Sequence, residues 1–143
     1  MIAVPMLAVL MQAATPAVTT LTPGKLPQQA LPARGCAAYL WSLQDRSLVT
    51  MATADPATLR LVIDGKVVDL PQESRTGPGG FGLPTHGVYR QGGVMATLDL
   101  TFATRADLTD GGGVPEATLT IARDGADVMV LPVAGMIGCA AHS

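Results

Sequence analysis

Residues 58–70 read TLRLVIDGKVVDL, and no other segment narrows the choice of fold as far. Leu59, Leu61 and Ile63 alternate with Thr58, Arg60 and Val62, which is the two-residue period of a strand with one buried face. Asp64-Gly65 then supplies two residues that tolerate positive φ, as a type I′ turn requires, and Val68 and Leu70 resume the pattern. The segment predicts a β-hairpin. Residues 94–102 carry the same period, with Ala96, Leu98, Leu100 and Phe102 on one face and Thr97, Asp99 and Thr101 on the other. Residues 117–122 lead through Asp124-Gly125 into residues 128–133, and residues 37–43 and 48–53 supply two more strands.

No apolar stripe of helical period follows the first residues, so the fold expected is all-β. It is a small antiparallel β-sandwich or barrel of about seven strands, with no helix longer than a turn or two. The turns fall to glycine and aspartate because the chain has no asparagine, which also removes any N-linked glycan site. Ala57-Thr58-Leu59, Asp64-Gly65 and Val68 recur as Ala117-Thr118-Leu119, Asp124-Gly125 and Val128. Shared hairpin grammar explains this echo more simply than duplication of a half-domain.

Apolar residues make up 48% of the 143 and charged residues 14%, which excludes charge-driven disorder. A net charge of −2 gives no basic field for binding nucleic acid. Arginine outnumbers lysine, and alanine and glycine are abundant, a bias of bacterial genomes rich in G and C.

The first charge is Lys25, and residues 2–11 (IAVPMLAVLM) form an apolar run followed by Ala13, Ala14 and Ala17. The run has the length of a signal-peptide core and falls short of a membrane-spanning helix. It departs from the usual signal in having no Lys or Arg ahead of it. The sequence divides into a signal peptide at 1–17, a Pro-rich linker at 18–35 that reads as extended and solvated, and a β domain at 36–143. The expected location is periplasmic or secreted, with a membrane attachment only if the signal is not cleaved. Ala33-Arg34-Gly35 ahead of Cys36 does not fit a lipoprotein box.

Cys36 and Cys139 bracket the β domain, and an even pair behind an export signal predicts a disulfide between them. Cys139-x-x-His142 as half of a metal site ranks below it, since only His86 and Cys36 remain as further soft ligands. No metal and no other cofactor is expected.

Histidine is the usual base near neutral pH, and the chain has His86 and His142 alone. Neither stands in a nucleophile motif, Glu73 and Glu116 lie beside prolines, and Asp64, Asp124 and Asp55 have turn positions. Asp107 and Asp110, before three glycines, lack the alternating oxygens and distal Glu of a calcium loop. No catalytic residue is assigned, and the chain is read as a non-enzyme.

Residues 74–87 (SRTGPGGFGLPTHG) are too glycine-rich to read as a strand and longer than an ordinary hairpin connection, which leaves a working loop or an idle mobile one. With Tyr89 and Arg90 the segment gathers residue types enriched at interfaces, so Phe81, His86, Tyr89 and Arg90 are the candidate partner-binding residues. Tyr39 and Trp41 share the strand face opposite Cys36, Ala38 and Leu40, and are read as part of the core.

Two terminal cysteines on a small exported β domain, with His86-Gly87-Val88-Tyr89 late in the chain, give a layout that resembles the small periplasmic lysozyme inhibitors. The resemblance implies a β-barrel with a terminal disulfide and a Ser-Gly-x-x-Tyr stretch that enters the lysozyme cleft. Here that stretch is one residue short and lacks its serine, and the family's later Trp and Lys are absent. The functional expectation is a non-catalytic binding or structural module of the bacterial envelope whose partner is an unknown protein or envelope component. Inhibition of a periplasmic hydrolase is the first alternative. A small hydrolase pairing His86 with an aspartate distant in sequence is the second.

Overall fold

The structure is a computed structural model describing residue 3 and residues 24–103, 111–126 and 128–141. Eight strands follow one another around a closed antiparallel barrel: β1 (Cys36–Ser42), β2 (Leu48–Ala54), β3 (Ala57–Ile63), β4 (Lys66–Thr76), β5 (His86–Gln91), β6 (Val94–Ala103), β7 (Gly111–Arg123) and β8 (Met129–Cys139). Each strand pairs with the next in sequence, and β1 closes the ring on β8. The seven strands expected are all present, and the eighth is β5. The signal segment, the loop with Asp107 and Asp110, and His142 lie outside the described residues.

Alternation along the strands fills the interior. Leu40, Leu59, Leu61, Leu98, Leu119 and Ile121 point inward and are buried, together with alanines at Ala38, Ala52 and Ala96. An eight-stranded barrel has an interior just wide enough for such side chains. Outward positions carry Arg60, Asp69, His86, Arg90 and Asp99.

Cys36 and Cys139 face each other in the β1–β8 ladder, and their disulfide staples the seam that closes the ring. At the opposite end stand the turns between β1 and β2, β3 and β4, β5 and β6, and β7 and β8. There Asp64, at φ 52° in the β3–β4 turn, accepts a 2.7 Å ion pair from Arg123 at the end of β7, four strands around the ring. The two Asp-Gly hairpins that echo each other in sequence thus occupy opposite sides of the barrel.

Residues 24–35 form no regular element, and they are not the solvated linker expected but lie against the domain. The Gly24 amide donates to the Val62 carbonyl and the Leu26 amide to the Leu48 carbonyl. Leu26 is buried on Ala37, Met51 and Val62 outside the barrel, and the Tyr39 hydroxyl donates to the Ala30 carbonyl. This strap covers the outer face of β1 to β3. Tyr39 and Trp41 lie on the outer face of β1, half-buried, with Tyr39 packed on the apolar cluster beneath the strap and not among the side chains that fill the barrel. β1 is buried on both faces, from outside by the strap.

Candidate functional site

The six residues of β5 decide where the four sequence-selected residues go. Their period of two sends His86, Val88 and Arg90 outward, and Gly87 and Tyr89 inward. Tyr89 is 1% exposed and packs in the central core, where burial raises its phenol above the ordinary tyrosine range against a smaller opposing effect of the Gln72 hydrogen bond. Tyr89 is therefore a core residue, which removes it from the proposed surface cluster. The sequence places Tyr89 in a strand after the glycine-rich segment but does not disclose which face of that strand it occupies.

Phe81 is also set apart. Residues 74–76 belong to β4 and residues 86–87 to β5, which leaves a connection of 77–85 that folds across the disulfide end of the barrel. Gly80 and Leu83 exchange backbone hydrogen bonds, the Gly79 amide donates to Thr85 Oγ1, and the Leu100 amide donates to the Thr85 carbonyl. Leu83 and Pro84 are fully buried, and the half-buried Phe81 ring packs on the core and over Gly112. The glycine-rich segment is a stopper anchored by its apolar residues.

His86 and Arg90 share the outer face, four residues apart along β5. The ladder aligns His86 with Asp99, Asp99 with Thr118, and Thr118 with Pro132, while Val88, Thr97, Thr120 and Val130 form the parallel row beside it. His86 Nδ1 lies 2.5 Å from Asp99 Oδ1. The carboxylate accepts from Nδ1–H, and Nε2 has no hydrogen-bond partner among the described residues. Arg90 forms a 3.0 Å ion pair with Glu73, the bulged residue of the β4–β5 seam. Next to this row an open groove of about 500 Å³ runs over β6 to β8, with Asp99, Glu116, Thr118 and Leu43 in its walls.

Chemically, a histidine oriented by a carboxylate is two parts of a nucleophile triad. The third part, a hydroxyl or thiol bonded to the other ring nitrogen, is absent among the described residues. No group of three or more His, Cys, Asp or Glu placed to hold a metal occurs among those residues either.

A second concavity, not expected from the sequence, lies at the hairpin end. Pairing of β4 with β5 stops at Gln72 and Tyr89, although β4 begins at Lys66. Pro71 sits where the ladder ends, and a residue without an N–H belongs at such an edge. The open seam forms a cleft of about 440 Å³, floored by Ile63, Val68, Leu70 and Val94 and rimmed by Asp64 and Asp69. Pro71 inside an otherwise strand-like run was the signal that could have located it.

No family model, no curated protein and no solved structure matches the chain.

Proposed function

We propose that the protein is a non-catalytic binding module of the bacterial envelope, exported and closed by its disulfide, that meets its partner through the outer face of β5 to β8. The observation that carries the reading is the filled barrel. Apolar side chains occupy the interior, so recognition falls to the outer surface, where His86, Arg90 and Asp99 stand among threonines on a sheet held by the staple at one end. The disulfide accords with an oxidising compartment, periplasmic or extracellular. The outward charges accord with a barrel surrounded by water.

The barrel with its first and last strands joined also favours the second reading, inhibition of a lysozyme-like hydrolase. In that case His86 and Arg90, not the buried Tyr89, would face the enzyme cleft. Purified protein added to lysozyme tests this directly. Inhibition lost in His86→Ala/Arg90→Ala supports it, and unchanged lysozyme activity removes it. Turnover of ester or glycan substrates by the purified protein, abolished by His86→Ala, would instead establish a hydrolase and overturn the binding reading.

A further inference from the structure

The β3–β4 hairpin projects beyond its neighbours on both sides, and the chain treats its two edges differently. On the β3 side, pairing with β2 ends at Met51 and Arg60 while β3 continues to Ile63. The chain covers this edge itself. Gly24 donates to the Val62 carbonyl at 3.0 Å, Leu26 donates to Leu48 at 2.8 Å, and the Leu26 side chain is buried to 6% exposure. On the β4 side, residues 66–70 have a ladder partner in β3 alone among the described residues.

The direction of the bare edge follows from the turn. Ile63 and Lys66 flank a two-residue hairpin and pair with each other, so their backbone groups face across the hairpin. Alternation then turns the N–H and C=O of Val67 and Asp69 toward the open seam. Behind that edge lies the aliphatic floor of Ile63, Val68, Leu70 and Val94.

We infer that this edge takes an extended peptide segment of a partner polypeptide as an added strand, with one leucine-sized side chain in the cleft and backbone hydrogen bonds to Val67 and Asp69. The occupant follows from the strap: Gly24 donates to Val62 of β3, Leu26 donates to Leu48 of β2 and buries its side chain, so a short segment with one leucine already fills the gap on the other side of the same hairpin. Strand addition draws affinity from main-chain bonds and specificity from the pocket beneath alternate side chains. The inference deepens the binding-module reading by naming a partner class, and it uses the seam that opens beside Arg90, at the end of β5 away from His86.

The test titrates the 15N-labelled full chain with a blocked synthetic peptide of strap residues 22–30 (TPGKLPQQA), and with the same peptide carrying aspartate in place of its leucine. Saturable shifts of the Val67, Asp69 and Val94 amides are expected. Val67→Pro removes one seam-facing donor from an exposed position and should weaken binding about tenfold, as should the aspartate peptide. Three results would overturn the inference. These are no shifts at saturating peptide, shifts confined to Leu48 and Val62 where the probe replaces the strap, or concentration-dependent pairing of the protein with itself through the edge. Any of these leaves the His86 and Arg90 surface to be judged on its own, whereas hydrolytic turnover would defeat the binding reading as a whole.

Discussion

Tyr89 and His86 stand three residues apart and have opposite roles, which direct substitution separates. Tyr89→Ala empties a large core position and should cost about 3–5 kcal/mol of stability. His86→Ala and Arg90→Ala remove side chains that are 43% and 57% exposed, and each should change stability by no more than about 0.5 kcal/mol. Chemical denaturation of the three variants checks this ordering. Burial also raises the Tyr89 phenol above its value in the unfolded chain. A raised folded value means that the neutral form is the one the fold favours. That contribution is fully present below about pH 10 and is lost as pH rises through the folded value. An alkaline titration followed by tyrosinate absorbance should show both Tyr89 and Tyr39 ionising above a free tyrosine.

At the scale of elements, the stopper and the strap carry the argument. Leu83→Ala should destabilise the barrel by about 2–5 kcal/mol, since Leu83 is fully enclosed beneath the 77–85 connection. A Cβ added at Gly112 would come within 2.8 Å of the Phe81 ring, so Gly112→Ala should displace that ring and loosen the stopper, read as faster hydrogen exchange at Gly80 and Leu83. Leu26→Asp should free the strap, with exchange rising at Gly24 and Leu26 while Leu59 and Leu119 stay protected. These two elements are also where the sequence was hard to read. Seven strands announce themselves by alternation and by Asp-Gly turns. β5 opens on His-Gly after a run of glycines and has six residues, too few for its period to stand out. The stopper hides a Leu-Pro anchor among glycines. In the strap, prolines that prevent a regular ladder still leave Gly24 and Leu26 free to donate one bond each.

For the whole molecule, the staple and the ring are one feature. The disulfide joins residues 103 apart at the seam between first and last strands, so reducing it should lower stability by about 4.7 kcal/mol on the chain-entropy account. Urea unfolding with and without reductant measures the difference. The bracket was legible from two cysteines in a candidate exported chain. The candidate surface was legible only in part, because His86 and Arg90 acquire neighbours such as Asp99 and Thr118 from strand register, which spacing along the chain does not disclose. The central claim is that this face of β5 to β8 meets a partner, and photo-crosslinking in the intact envelope tests it most directly. A photoreactive residue in place of Arg90 or Thr97 should give one discrete crosslinked species, absent when the residue replaces Gln28, exposed on the strap next to Gln29, whose side chain accepts from Arg60 of β3. The same species from all three positions, or none from Arg90 and Thr97, would contradict the account.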